Sequence, residues 1–271
     1  MRGVLPVAED MGNDAGERAG IAERAASAGA DRALALFRGE LDVETKANPS
    51  DVVTEADRDA QRAVFDAVHS GYPDDPIVGE EDDALKEVPE EGPAWIVDPI
   101  DGTANYVRGN PIWCTSVAAV VDREAIAGAT ILPALGEAYV ADDSTTRLNG
   151  DTISVSERSD PAAAQVSTTL WWGFMEGEDH VETIGRLGRQ FGDIRRFGSA
   201  QATLAMVASG TVDAAASPIT PNSWDSVTGV QLIRAAGGVV TDVHGERWEV
   251  GSEGLVASNG HLHDALLRAM Q

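Results

Sequence analysis

The run Trp95-Ile96-Val97-Asp98-Pro99-Ile100-Asp101-Gly102-Thr103 constrains this chain more than any other segment. Three bulky apolar residues in a row read as a strand covered on both faces, and such a strand delivers the residues after it into the interior. Directly after it stand two carboxylates separated by a rigid Pro-Ile turn. A carboxylate at the end of a buried strand needs a cation or hydrogen bonds to offset its lost hydration. Any fold this chain adopts must therefore bring two acids together at a strand end and supply them with positive charge. Gly102 and Thr103 open the next segment, where backbone N–H groups can face an anion such as a phosphate.

Other acids invite the same reading less strongly, because Asp and Glu together make up 45 of 271 residues and acidic clusters are common by chance. Gly79-Glu80-Glu81-Asp82-Asp83 follows the apolar Ile77-Val78, and fits a solvated loop about as well as a ligand set. Asp225 stands beside Trp224 at the start of an apolar helix, where an N-cap role would suffice. Asp57 falls in the first turn of another helix, a position that favours acids through the helix dipole.

The charge balance excludes several partners. A formal net charge of -25 and a pI near 4.3 repel nucleic acids and anionic membrane surfaces, since binding to both is driven largely by cationic side chains. Lys46 and Lys86 are the only lysines, and every other cation is arginine. Dispersed carboxylates with few lysines match a halophile's cytoplasm, where molar potassium chloride shrinks the Debye length to roughly 3 Å. One cysteine, Cys114, excludes an internal disulfide and a cysteine-based zinc site, and its apolar neighbours assign it to a buried strand. No apolar run approaches the ~20 residues of a membrane span, and the apolar stretch at the N-terminus is too short for a signal peptide, so a cytoplasmic location is expected.

Periodicity organises the rest. Residues 12–37 carry a long amphipathic helix, 40–46 a short strand, and 54–69 a second helix with Thr54 as N-cap and Asp57 completing a capping box. Strands are expected at 76–79, 95–97, 115–121, 125–132 and 137–141, joined by short turns as in an antiparallel sheet. From about Ala162 strands and helices alternate to the end of the chain. Helices and sheets then alternate as layers, and no low-complexity linker divides them. One catalytic unit, 1–271, is expected, with an N-terminal α+β part (1–143) holding most of the candidate ligands and a C-terminal α/β part (144–271) holding Asp225.

Taken together and in order, these elements resemble the inositol monophosphatase family of magnesium-dependent, lithium-sensitive phosphatases. The Asp-Pro-Ile-Asp-Gly-Thr core stands intact at Asp98 to Thr103, with Gly79 to Glu81 matching the Gly-Glu-Glu element. Lys46, Asp51 to Thr54 and Asp57 match the upstream element; Gly198-Ser199-Ala200 matches the Gly-Ser-Ala stretch, and Trp224-Asp225 through Ala236-Gly237-Gly238 the Trp-Asp to Ala-Gly-Gly stretch. The resemblance spans nearly the whole chain. It implies a layered αβαβα sandwich, usually a homodimer, and a site between the two halves. It further implies two to three Mg²⁺ per subunit: one held by Glu80, Asp98 and the Ile100 carbonyl, a second by Asp98, Asp101 and Asp225, and a weaker third by Asp57 with Glu80. Gly102 and Thr103 amides would cradle the phosphate, with Ser199 nearby. The Thr103 hydroxyl, bonded to Glu80 or Asp57, would orient the attacking water.

The chain departs from the inositol-specific members where they place a glutamate shortly before Trp-Asp, because Ser217 stands there instead. Arg195 and Arg196 could supply a second anion site, as in archaeal members that also hydrolyse fructose 1,6-bisphosphate; the alternative is that they pair with surface carboxylates. Trp171 and Trp172 could line a sugar pocket or pack in the core. A sugar or polyol phosphate, inositol 1-phosphate or fructose 1,6-bisphosphate, leads as substrate. A 3'-phosphonucleotide such as 3'-phosphoadenosine 5'-phosphate, or a non-catalytic regulatory protein on the same fold, are the alternatives. The charge texture generates a first prediction: diluting KCl from molar to about 0.1 M lengthens the Debye length to about 10 Å, and the chain should unfold by circular dichroism. Retention of fold and activity without salt would overturn the halophilic assignment.

Overall fold

The structure is a computed structural model that describes residues 8–39, 43–45, 52–81, 84–169 and 177–270. Its first helix, α1 (Ala8–Leu36), carries buried alanines at 15, 19, 22, 26, 30 and 33, a spacing of three or four that lays one smooth face along its length. Small side chains let α2 (Glu55–Gly71) approach closely, and Gly29 marks the contact: a Cβ there would lie 2.6 Å from Val64 Cγ2 and 3.0 Å from Thr115 Cγ2. Between them β1 (Val43–Thr45) and β2 (Val52–Thr54) form a small antiparallel pair. Helix α2 begins directly after Thr54, where the capping pattern places it; the Thr54 side chain lies outside those described.

Seven strands come next in one sheet, in chain order: β3 (Ile77–Gly79), β4 (Pro93–Asp101), β5 (Cys114–Val121), β6 (Glu124–Leu132), β7 (Glu137–Ala141), β8 (Thr146–Leu148) and β9 (Asp151–Ile153). All neighbours are antiparallel except β3 and β4, which are parallel because residues 80–92 carry the chain back to the starting edge. The strands β8 and β9 carry no signal in the sequence: each has three residues, too few for alternation to register. They extend the first sheet to Ile153, beyond the division expected after residue 143.

The second sheet orders its strands β11 (Asp193–Arg195), β10 (Gln165–Thr168), β12 (Ala214–Ser217), β14 (Leu255–Ser258), β13 (Val239–Thr241). Strand β10 lies parallel to both neighbours, and β14 runs antiparallel to both of its own. Four more helices belong to this half: α4 (Gly177–Gln190), α5 (Ala200–Ala208), α6 (Val227–Ala235) and α7 (His263–Met270). The short α3 (Thr103–Val107) lies within the first half.

Period-two alternation assembles the layers. On β4, Trp95 and Val97 face the core under α1 and α2, while Ala94 and Ile96 face the core containing α5 and α6 residues. On β12, Ala215 points into that same middle core, whereas Ala214 and Ala216 meet Leu187 of α4 and Leu266 of α7. The order is thus α1/α2, first sheet, α5/α6, second sheet, α4/α7, the five layers expected. Among the described residues no helix is long and apolar enough to cross a membrane.

One departure shapes the site. The sequence reads as a strand ending at Val97, yet β4 continues through Asp101 with a register shift between Asp98 and Asp101. Pro99 has no N–H for the ladder, and a bulge is where a strand tolerates it. In a regular strand residues 98 and 101 would point to opposite faces; one inserted residue returns them to the same side. The Pro99 carbonyl is held by the Thr115 hydroxyl at 2.7 Å. The tight α1–α2 contact yields a second prediction: Gly29→Val overpacks it and should cost about 1–3 kcal/mol, seen as a lower urea midpoint with an unchanged slope.

Candidate active site

Asp98 is buried, and among the described residues neither of its carboxylate oxygens has a hydrogen-bond partner. Burial holds its pKa well above the usual carboxylate range, and the neighbouring charges of Glu80, Asp101, Asp225 and Asp57 push it further the same way. Five acids from four segments therefore converge: the start of α2, the turn after β3, the bulge of β4 and the turn before α6. The tightest group is Asp98, Asp101 and Asp225, which each offer an oxygen within 4.8 Å of the others.

Asp101 is treated differently although it is also buried. Its carboxylate accepts hydrogen bonds from Ser199 Oγ (2.5 Å), the Gln201 amide (2.6 Å) and the Ala200 amide (3.1 Å), with the Cys114 thiol at 3.6 Å. Burial raises its pKa, and these bonds oppose the rise. Ser199 is the N-cap of α5 and also accepts from the Ala202 amide at 3.2 Å. Asp101 thus fastens the first turn of α5 to the bulge of β4, with the positive end of the helix toward the acids.

Thr103 opens α3 beneath the cluster. Its hydroxyl hydrogen is shared between the Ile100 carbonyl at 3.0 Å and Asp57 Oδ1 at 3.3 Å. Gly102 precedes it at φ 92°, a backbone that L side chains rarely adopt, and a Cβ there would lie 3.0 Å from Ser199 Cβ and 3.1 Å from the Gly198 carbonyl. Only glycine lets the bulge turn into the helix at that point. The Gly102 carbonyl accepts from the Asn105 amide at 2.8 Å and the Tyr106 amide at 3.0 Å, which closes the first turn of α3.

Neutral side chains that the sequence did not single out fix the geometry. Asn105 Nδ2 donates to the Ile112 and Phe197 carbonyls, both at 2.7 Å, tying α3 to the segment that leads into Ser199. Gln201 Nε2 donates to the Trp224 carbonyl at 2.6 Å and its Oε1 accepts from the Gly229 amide at 2.7 Å, which positions the turn bearing Asp225. Gln61 Oε1 accepts from the Glu81 amide at 3.1 Å. Gln201 carried one available signal, a long polar residue in a mostly apolar, enclosed helix.

Other expected residues lie elsewhere or are otherwise occupied. Arg195 and Arg196 are exposed, and Arg195 forms a two-point ion pair with Asp193 of its own strand. Ser217 is buried at the end of β12, where its hydroxyl accepts from the Ile219 amide at 3.2 Å. Cys114 opens β5; burial and the nearby Asp101 and Asp98 raise its pKa well above the ordinary thiol value. Lys46, Asp51, Asp82, Asp83, Trp171 and Trp172 lie outside the described residues.

An acidic, all-oxygen donor set with an unpartnered buried carboxylate fits Mg²⁺, which takes carboxylate oxygens and keeps waters for the rest. Asp98, Asp101 and Asp225 could share one ion, and Glu80 with Asp98 another. Among the described residues Asp98 has no hydrogen-bonding role, so a cation is what its position can serve.

Comparison with known proteins gives a concordant result. The Inositol monophosphatase family model matches residues 14–271. The chain is 35% identical over 240 residues to a fructose-1,6-bisphosphatase/inositol-1-monophosphatase of Thermotoga maritima, covering 88% of this chain and 90% of that one. It is 33% identical over 260 residues to a histidinol-phosphatase of Streptomyces coelicolor, covering 91% and 92%. Among solved structures, an IMPase of Thermotoga maritima superposes with a TM-score of 0.82 at 31% identity, covering 95% of this chain and 96% of its own.

The raised pKa of Asp98 sets a third prediction. Its unfolded value is ~3.9, so in the metal-free chain the stability tied to its protonation is full below that pH and is lost as pH rises through the higher folded value. Calorimetry should show the metal-free wild type losing stability relative to Asp98→Asn as pH rises, while Mg²⁺ raises only the wild-type melting temperature. A pH-independent difference, or a full Mg²⁺ response in the variant, would contradict the assignment.

Proposed function

The chain belongs to the inositol monophosphatase family, and from that premise we propose that this protein is a Mg²⁺-dependent phosphomonoesterase acting on a phosphorylated sugar or polyol, inositol 1-phosphate and fructose 1,6-bisphosphate foremost. The observation that carries the reading is the buried carboxylate of Asp98, which no described residue satisfies with a hydrogen bond, at the centre of five convergent acids. Glu80, Asp98 and the Ile100 carbonyl would hold one ion, Asp98, Asp101 and Asp225 a second, and Asp57 would support a third. Bound there, the ions would neutralise charge on the phosphoryl oxygens and the leaving group and acidify a water.

The chain's own groups do the rest. Because the Thr103 hydroxyl spends its proton on Asp57 and the Ile100 carbonyl, its lone pairs remain to accept a hydrogen bond from an attacking water. Asp57 fixes that polarity and can take the proton that the water loses. The Gly102 and Thr103 amides would hold the phosphate in line with that water. Asp101, its other lone pairs committed to α5, keeps the second half of the chain in register with the first. The two halves act as one catalytic unit, since Asp225 comes from one and the remaining acids from the other.

Substrate choice is the open variable. Ser217 is engaged with Ile219 and Arg195 with Asp193, so neither supports a dedicated inositol or second-phosphate contact in this arrangement. Relatives of similar identity are named histidinol-phosphatases, and this favours histidinol phosphate as a second substrate class. The charge texture supports work in molar KCl, in a cytoplasm; the family resemblance supports a homodimer.

Phosphate release should be measured in molar KCl with Mg²⁺ on inositol 1-phosphate, fructose 1,6-bisphosphate, histidinol phosphate and 3'-phosphoadenosine 5'-phosphate. We expect turnover of at least one of the first two, strict dependence on divalent metal, and a loss of at least ~100-fold in Asp225→Asn, in line with removing a ligand from the centre. Metal-independent activity, or wild-type rates in that variant, would refute the mechanism; a preference for histidinol phosphate would move the substrate assignment and leave the mechanism intact.

A further inference from the structure

Lys86 is one of two lysines in the chain, and its ammonium sits under the turn that carries Glu80. Nζ donates to three successive backbone carbonyls: Gly79 at 3.0 Å, Glu80 at 2.8 Å and Glu81 at 2.7 Å. An ammonium has three donors, and all three are used. The chain is bent to put it there: the Leu85 amide donates to the Ile77 carbonyl at 3.2 Å and the Gly79 amide to the Leu85 carbonyl at 3.0 Å, so residue 85 returns alongside β3. With the Glu81 amide bound by Gln61, the backbone of the turn is held from both sides.

The same Nζ lies 5.7 Å from the ring centroid of Trp224, within range of a cation–π contact. Trp224 immediately precedes Asp225 and belongs to the other half of the molecule. One side chain therefore touches both the turn that presents Glu80 and the residue before Asp225. An arginine's planar fork suits carboxylates, whereas three carbonyls converging on a point suit a compact ammonium. In a chain that otherwise uses arginine almost throughout, a lysine at this place is explained by that geometry. Charge neutralisation alone would not explain it, because these bonds go to backbone oxygens.

We propose that Lys86 is a positioning residue of the metal centre, clamping the Gly79–Glu81 turn against Trp224 so that Glu80 and Asp225 are presented to the same cluster; this rests on the metal-dependent reading above. Lys86 touches neither substrate nor reacting atoms in this role. Its loss frees three carbonyls to turn toward water and lets the Glu80 turn sample other conformations, so metal binding must pay for the ordering that Lys86 now supplies.

The test is Mn²⁺ titration of the full chain in molar KCl, followed by electron paramagnetic resonance, for wild type, Lys86→Met and Lys86→Arg. Lys86→Met should bind about tenfold or more weakly, the usual scale for a residue that supports a ligand from behind. Lys86→Arg should recover part of that loss, since it keeps the charge and some donors. In kinetics the Mg²⁺ concentration for half-maximal activity should rise by a similar factor while kcat at saturating metal stays near wild type, and the metal-free melting temperature should hardly move. Equal Mn²⁺ affinity in wild type and Lys86→Met would overturn the inference and leave the metal centre standing, whereas a wild type that binds no Mn²⁺ would overturn both. Should Lys86→Met not fold, Lys86→Gln decides in the same assay: it lacks the charge and one donor, and unchanged affinity overturns the proposal.

Discussion

The site depends on a buried carboxylate that none of the described residues meets with a hydrogen bond. Asp98 lies in a β-bulge, out of water and with no hydrogen bond from the described residues, surrounded by four more acids. In the absence of a cation such a cluster is destabilising, because desolvation and mutual repulsion act in the same direction. A fold that maintains it must draw its stability from elsewhere, and the four buried apolar clusters around the two sheets and the short α3 are where that stability lies. Conversely, a bound divalent ion converts the least favourable feature of the chain into one of its most favourable, and this links ligand binding to folding through the same residues.

The acids come from both halves of the chain, so their relative placement depends on neutral groups that join the halves. Asp101 accepts three hydrogen bonds from the N-terminus of α5, Asn105 reaches the Phe197 carbonyl, and Gln201 holds the Trp224 carbonyl. Apart from Asp101 these contacts involve no charged side chain, so ionic screening bears on them less than on surface pairs. In a protein of net charge -25, hydrogen bonds from neutral donors are a means of fixing a site that depends little on ionic strength. Surface pairs such as Arg247 with Glu124 are, by contrast, exposed to screening.

Much of this was legible in the sequence, and the parts that were not share a cause. The apolar strand ending in two acids, the long alanine-rich helix and the alternation of strand and helix after Ala162 all express patterns of three or more residues, which periodicity reads well. The core acids Asp57, Glu80, Asp98, Asp101 and Asp225 were visible as a set only through family resemblance, since one residue in six is acidic and each alone fits a cap or a solvated loop. The continuation of β4 through Pro99 escaped because proline reads as a strand breaker, and a bulge is a property of the partner strand as much as of the sequence. Lys86, Gln201 and Asn105 escaped for a different reason: each acts on backbone carbonyls contributed by other segments, and no local pattern marks a side chain whose partners are main-chain atoms.

The sign of the charge bears on how such a site can work at all. A phosphomonoester is a dianion, and the field of this chain repels it at every distance where that field is unscreened. Capture therefore depends on short-range positive charge, and the described residues near the cluster offer little: Arg195 is bound to Asp193, and Lys86 is spent on carbonyls. What remains is the positive end of a helix dipole, first-turn amides, and the cations that the acids themselves collect. On the proposed metal-dependent reading, the carboxylates would invert the local potential by gathering divalent charge at one point of a molecule that is otherwise strongly negative. In that arrangement metal affinity, substrate affinity and catalysis become a single quantity seen from three sides. Side chains that set the angle between Glu80, Asp98 and Asp225 are then as consequential as the ligands they hold.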